Sequence, residues 1–215
     1  MKRPKLAVLA SGRGSNFEAL VRASREKRMD ADVVLLDANK PDAGALGLAK
    51  RDGIPALASA SQGRGPEHER EVLAAIEGAN ADLVLLAGYM RVLSPTFVRA
   101  LEGRLLNIHP SLLPAFPGLD AQGQAHRAGV RVAGCTVHFV SAEVDAGPIL
   151  AQAALAVDPA WDEEDLAIHI LGLEHKLYAS AVQMLATGTA RYESGRVVYS
   201  GAHVVGRPIF SPDIS

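Results

Sequence analysis

The apolar positions of this 215-residue chain fall into short continuous runs, separated by stretches in which they recur at helical spacing. Residues 6–10 form the first run, which stops at Ser11-Gly12-Arg13-Gly14-Ser15-Asn16. Phe17, Leu20 and Val21 then follow at the spacing of one helix face. The pattern predicts strand, glycine loop, helix. It repeats: 33–36 and 54–57 read as strands, each followed by a helix at about 42–51 and 67–77, and 83–87 reads as another strand. Runs without alternation mark strands covered on both faces, so these units predict a parallel sheet with right-handed crossovers.

The character changes in the second half. Pro95 opens a short helical segment, 105–109 is a strand, and the Pro-rich stretch 112–118 can continue neither a helix nor a strand. Two strand-like runs, 132–140 and 148–157, are joined by 141–147, and residues 162–165 give an acidic first turn to a helix reaching about Leu185. Short polar segments at 191–192, 196–199 and 202–205, with Gly at the turns, suggest a terminal hairpin. The expected fold is single-domain α/β and Rossmann-like: a mostly parallel sheet, helices on both faces, and a mixed C-terminal part. A hydrophobic content of 48% over this length suits one core.

Charge narrows the partners. The net charge of -2 balances 22 basic against 24 acidic residues, and no Lys/Arg run forms the footprint that nucleic-acid binding needs. Any anion is therefore bound locally. Cys135, the only cysteine, lies in an apolar strand and reads as an inert core thiol. The first apolar run is too short for a signal segment or membrane span, so a soluble cytoplasmic protein is expected. His68, His126, His169, His175 and His203 lack metal-ligand spacing, and no metal is expected.

A glycine loop between a parallel strand and a helix start points N–H groups and the positive end of the helix dipole at an anion, most naturally a phosphate. A dinucleotide reading competes, because Gly12-x-Gly14 follows a strand and Asp37 ends the next one, where a ribose-binding acid would sit. Against it, Phe17 occupies the third glycine position, while Ser15 and Asn16 add side-chain donors suited to one terminal phosphate. A plainer reading makes the glycines a tight turn and Asn16 a helix cap.

In Leu105-Leu106-Asn107-Ile108-His109-Pro110, alternation puts Asn107 and His109 on one side of the strand and Leu106 and Ile108 on the other. Both polar side chains then sit near the carboxyl end of the sheet, where open α/β folds bind ligands. Pro110, Pro114 and Pro117 stiffen the chain just past the strand. Asp145, in the loop 141–147, is placed to reach His109. At 4 Å and an effective dielectric near 20, their attraction is about 4 kcal/mol before desolvation, enough to favour the cationic ring. A purely structural His-Pro and strand Asn is the competing reading.

Ser11-Gly-Arg-Gly-Ser-Asn16, Leu86-Ala-Gly-Tyr-Met-Arg-Val-Leu-Ser-Pro95, Leu106-Asn-Ile-His-Pro-Ser-Leu-Leu-Pro114, and Val137-His-Phe-Val with Asp145-Ala-Gly-Pro148 follow one another in order. Together they resemble the folate-dependent glycinamide ribonucleotide formyltransferases of purine biosynthesis, nearly end to end. The Asn-x-His-Pro stretch with its later Asp is shared by the wider superfamily using 10-formyltetrahydrofolate, so it speaks for the chemistry more than for the acceptor. Gly14-Ser15-Asn16 is what points to a ribose phosphate. Methionyl-tRNA formyltransferase and formyltetrahydrofolate deformylase usually carry an additional domain, for which 215 residues leave no room.

The resemblance implies a single formyltransferase domain over 1–215, with a phosphate-binding half at about 1–100 and a folate-binding, catalytic half at about 101–215. It implies that Gly14, Ser15 and Asn16 hold the phosphate, that Glu174 lies near the acceptor amine, and that Met90, Arg91, Val92 and Leu93 line the pterin site with Asn107. It also implies that loop 140–146 closes over the folate. On their own, Glu174 reads as a solvated helix charge, Met90 and Leu93 as apolar packing, and His138 as an inward histidine bonded to backbone. The chain departs from the family pattern at three places: Arg64 stands beside Gly65, where an Arg is expected; Asp120-Ala121-Gln122 stands where histidines are common; and Leu171 replaces a frequent Gln. Formyl transfer through a tetrahedral intermediate then needs Asn107 and a cationic His109 as oxyanion donors and Asp145 to keep the ring charged. The substrates are small molecules, the folate is a co-substrate, and the enzyme is a monomer or homodimer. Deformylase activity and a non-enzymatic sugar-phosphate module are the alternatives.

Overall fold

The five residues of the first apolar run, with Lys5 before them, become the centre of a sheet. The computed structural model describes residues 3–59 and 66–200. In chain order its elements are β1 (Lys5–Ala10), α1 (Ser15–Arg25), β2 (Asp32–Ala38), α2 (Gly44–Asp52), β3 (Ala56–Leu57), α3 (Pro66–Gly78), β4 (Leu83–Leu86) and α4 (Pro95–Ala100). They continue with β5 (Leu105–His109), α5 (Ala121–Arg127), β6 (Val132–Phe139), β7 (Ile149–Ala156), α6 (Glu163–Ala186), β8 (Ala190–Glu193) and β9 (Arg196–Tyr199).

Seven strands form one sheet in the order β3-β2-β1-β4-β5-β6-β7, and β8 and β9 form a separate hairpin. The five strands from β3 to β5 pair in parallel, while β6 runs antiparallel to β5 and β7 antiparallel to β6. The mixed C-terminal part anticipated from the sequence is thus the last two strands.

Alternate residues of β1 feed two cores. Leu6, Val8 and Ala10 pack with Phe17 and Leu20 of α1, Ala45 of α2, Ala125 of α5, and Ile170 and Tyr178 of α6. Ala7 and Leu9 pack with Val72 and Ile76 of α3 and Phe97 and Val98 of α4. Burial of both faces explains why the strand reads as an unbroken apolar run.

Local signals set the helix ends. The Asp162 side chain caps the Asp165 N–H and Asp165 returns a bond to the Asp162 N–H, a reciprocal box that starts α6. Ser94 caps α4, with Pro95 at its first position. The stretch 112–118 is a loop as expected, and an unanticipated helix, α5, follows it. Its sequence, AQGQAHR, offers only small apolar side chains and an interior Gly123, so no amphipathic stripe announces it. The 54–57 strand shrinks to the two residues of β3, at the sheet edge. The strand expected at 202–205 lies outside the described residues.

Register fixes the geography. Leu9 pairs with Leu86 and Leu86 with Asn107, so the loop after β1, the segment after β4 and the end of β5 emerge side by side. From β1 the chain steps to β2 on one side, and later to β4 on the other. Such a switch point opens a crevice at the carboxyl ends of the strands.

Candidate active site

Gly14 ends the loop after β1 in the left-handed conformation, φ +83°, and a Cβ there would lie 2.7 Å from the Ala45 Cβ. No side chain caps α1 at this residue. Its carbonyl accepts the Glu18 N–H at 2.9 Å, which leaves the amides of Ser15, Asn16 and Phe17 as the orphan donors of the first turn. The N-cap is Gly14, so the plainer reading of Asn16 as a cap does not hold.

Asn16 does something else. Its Nδ2 donates to Glu174 Oε2 at 2.7 Å, a buried bond between residues 158 apart in sequence. Glu174 is 6% exposed, so its reading as a solvated helix charge is overturned, and one of the two hydrogens of the Asn16 amide is engaged by it. Burial pushes the Glu174 carboxyl above its usual pKa, against the lowering effect of the Asn16 bond. Asn16 Oδ1 has no partner among the described residues, a buried acceptor awaiting a donor.

The dinucleotide reading fails at two points. Phe17, at the third glycine position, is a core side chain, and Asp37 is 1% exposed at the end of β2 rather than presented to a ribose. Burial raises the Asp37 pKa, with Ser59, His68 and Arg91 pulling the other way.

The Asn107–His109–Asp145 group assembles on β5. Cross-strand pairs put His138 opposite Asn107 and Thr136 opposite His109. These four polar side chains line one face, while Leu106, Ile108, Val137 and Phe139 enter the core on the other. The Thr136 hydroxyl donates to the Ser111 carbonyl at 2.7 Å and accepts the Leu113 N–H at 3.0 Å, pinning the Pro-rich loop over the face.

Loop 140–148 leaves β6 at the level of Leu106 and folds back across this face. Asp145 Oδ2 lies 3.4 Å from His109 Nδ1, and its Oδ1 lies 3.7 Å from His138 Nε2. The Gly118 N–H donates to Oδ2 at 2.8 Å. Asp145 adopts φ +54°, a left-handed geometry that Asp and Asn tolerate better than most residues. Burial pushes its pKa up, but His138, the Gly118 N–H and the charge of both imidazoles outweigh burial and leave it below the usual value.

Donor directions follow from the partners. His109 Nε2 donates to the Phe116 carbonyl at 2.9 Å, so both of its nitrogens face oxygen acceptors. His138 Nδ1 donates to the Phe139 carbonyl at 3.0 Å, as expected of an inward histidine bonded to backbone. Its Nε2 lies 3.3 Å from Asn107 Nδ2, a bond it accepts only when the ring is neutral, so at least one amide hydrogen of Asn107 is free of it. Sequence reasoning missed the place of His138 in the cluster. Alternation puts it on a polar face, but nothing in one sequence says that β6 lies beside β5.

Four large apolar residues are exposed on the segments that follow β4, β5 and β6. Met90 is 64% exposed, Val92 84%, Leu119 79% and Val144 59%, so the reading of Met90 as packing is corrected, while Leu93 does pack on the α3/α4 core. Ser11 ties the loop after β1 to the segment after β4, its hydroxyl accepting the Met90 N–H at 2.7 Å. Arg64 and Gly65 lie outside the described residues.

The sequence pattern of the family described as formyl transferase matches residues 4–182. The chain belongs to the formyl transferase family. This formyl transferase is 45% identical over 183 residues to the phosphoribosylglycinamide formyltransferase of Bacillus subtilis, covering 84% of this chain and 94% of that one. It is 47% identical over 195 residues to the trifunctional purine biosynthetic protein adenosine-3 of Drosophila melanogaster, covering 88% of this chain but only 14% of that much longer relative. Its fold matches the glycinamide ribonucleotide transformylase 1 of Symbiobacterium toebii with a TM-score of 0.87, at 42% identity, over 92% of this chain and 94% of that one. A formyltetrahydrofolate deformylase from Pseudomonas putida matches with a TM-score of 0.84, at 36% identity, over 92% of this chain and 70% of that one. Among the described residues, no group of three or more His, Cys, Asp or Glu is arranged to hold a metal ion, and no helix is long and apolar enough to cross a membrane.

Proposed function

We propose that this enzyme transfers the formyl group of 10-formyltetrahydrofolate to the amine of N1-(5-phosphoribosyl)glycinamide, a step of purine biosynthesis. The observation that carries the reading is the cluster of a buried His109 with the partly buried Asn107 and Asp145, beside a helix N-terminus with free amides. The whole of 1–215 acts as one formyltransferase domain, its first half holding phosphate and its second half holding folate. Its substrates are small molecules and its place is the cytoplasm, as a monomer or homodimer.

Backbone amides from Gly14 to Asn16, with the Ser15 hydroxyl, hold the phosphate. Glu174 and the unpartnered Asn16 Oδ1 face the sugar and amine of the acceptor. Met90, Arg91, Val92 and Leu93 line the pterin site together with Arg64, and loop 140–146 covers the folate. The amine attacks the formyl carbon, its C–N bond forms, and the carbonyl oxygen gains a negative charge. The free N–H of Asn107 and the His109 ring stabilise that oxygen, at about 3 to 4 kcal/mol per well-placed donor. His109 Nε2 must exchange the Phe116 carbonyl for the substrate oxygen to do so. Asp145 holds the opposite side of the ring. Collapse breaks the bond from the formyl carbon to the folate nitrogen, which takes up the proton lost by the amine.

The likeness to a deformylase favours a second reading, in which water replaces the amine. Release of tetrahydrofolate is the measurement that separates them. Release dependent on the ribonucleotide, abolished in His109→Ala with the fold intact, supports transfer. Equal release without acceptor makes the protein a deformylase, and no release with either leaves a sugar-phosphate-binding module.

A further inference from the structure

Between β4 and α4, residues 89–94 are clamped at both ends by neighbouring residues of one helix turn. His68 on α3 is buried, and its Nδ1 donates to the Ser59 carbonyl at 3.0 Å, so its Nε2, 3.0 Å from the Tyr89 hydroxyl, is the acceptor of that O–H. The next residue, Glu69, accepts the Ser94 N–H at 2.8 Å on one carboxylate oxygen and the Ser94 hydroxyl on the other. The Ser94 oxygen in turn accepts the Phe97 N–H at 3.1 Å, which starts α4. Between the clamps, the only backbone bond among the described residues is the Met90 N–H on Ser11.

The arrangement leaves the backbone groups of Arg91, Val92 and Leu93 without partners among the described residues, on a segment hydrogen-bonded to α3 at both ends. A planar heterocycle with donors and acceptors along its edge matches such a strip. Packing alone does not call for this construction: a buried histidine, a tyrosine and a half-buried carboxylate are costly to desolvate, and apolar side chains of the same shape would fill the space as well.

We infer that His68 and Glu69 are positioning residues for the formyl donor: through Tyr89 and Ser94 they set the shape of the 90–93 backbone without touching substrate. The inference rests on the assignment of that segment to the pterin.

The test uses His68→Phe, Tyr89→Phe and Glu69→Gln in the full chain, with His68→Gln as the conservative variant that keeps an acceptor for Tyr89. KM for each substrate, kcat, thermal stability and calorimetric affinity for tetrahydrofolate are measured. The expected result is a rise of about five- to fifteen-fold in donor KM and in tetrahydrofolate Kd, with ribonucleotide KM within about twofold and His68→Gln partly restored, the size of one lost buried hydrogen bond. Should His68→Phe fail to fold, Tyr89→Phe and Glu69→Gln carry the same test. Unchanged tetrahydrofolate affinity in folded variants, or an equal rise in both KM values, overturns the inference. If the wild type transfers no formyl group yet binds tetrahydrofolate with affinity that the variants weaken, the proposed reaction fails and the positioning role stands. A wild type that binds no tetrahydrofolate sinks both.

Discussion

Asp145→Asn separates charge from shape at the reaction centre. Asparagine fits the left-handed φ of +54° and its amide oxygen still accepts the Gly118 N–H, so the loop keeps its path. What disappears is a carboxylate 3.4 Å from His109 Nδ1, an attraction of about 5 kcal/mol at an effective dielectric near 20, before the desolvation that offsets part of it. If most of that net interaction supports His109 in the transition state, kcat falls by about 10² to 10⁴, equivalent to roughly 3 to 5 kcal/mol. Steady-state kinetics with both substrates varied should show the loss in kcat, with each KM within about threefold. Stability gives an independent check. The folded pKa of Asp145 lies below its unfolded value of about 3.9, so its contribution is present above that pH and is lost as pH falls through the folded value. The variant lacks this contribution, and its melting temperature should sit modestly below wild type at neutral pH and converge with it in acid. Wild-type kcat in a folded Asp145→Asn protein would refute the catalytic role of the charge, and a loss matched by global unfolding would reduce it to a structural one.

Gly14→Ala should cost about 1 to 3 kcal/mol in chemical denaturation and raise ribonucleotide KM, because the new Cβ is strained at φ +83° and meets Ala45; Gly12→Ala, with nothing within 4 Å, should leave stability unchanged. Glu174→Gln keeps an acceptor for Asn16 while removing a buried charge whose folded pKa is raised. Wild-type stability therefore falls as pH rises from the unfolded value of about 4.3 through the folded one, and thermal melts across pH 5 to 8 should show the variant gaining on wild type while its ribonucleotide KM increases. Cys135 is fully buried, with its thiol pushed up to about 12 by burial, so a thiol reagent at neutral pH should leave native protein unlabelled and modify one thiol per chain in denaturant.

The parallel half of the fold is legible because β1 and β4 are continuous apolar runs with helix-spaced segments between the strands. The strand 105–109 is found at its exact limits from the alternation of Leu106 and Ile108 with Asn107 and His109 up to Pro110. Helix α5 is not, since its buried residues are Ala121, Gly123 and Ala125, too small to mark a face. At the site, Asn107 and His109 share a strand, so alternation places them, and Asp145 is close enough in the chain to guess. His138 and the Asn16–Glu174 bond depend on strand order and helix docking, which local spacing does not encode.

The 158-residue span of the Asn16–Glu174 bond sets the order of events on the ribosome. At about 5 to 20 residues per second, α6 is synthesised roughly 8 to 30 seconds after the glycine loop. Until then the sheet face later covered by Ile170, Tyr178 and Val182 has no lid. The Asn16–Glu174 contact is therefore among the last to form in a nascent molecule, and a growing chain that has already made its glycine loop still exposes an apolar sheet face to its neighbours.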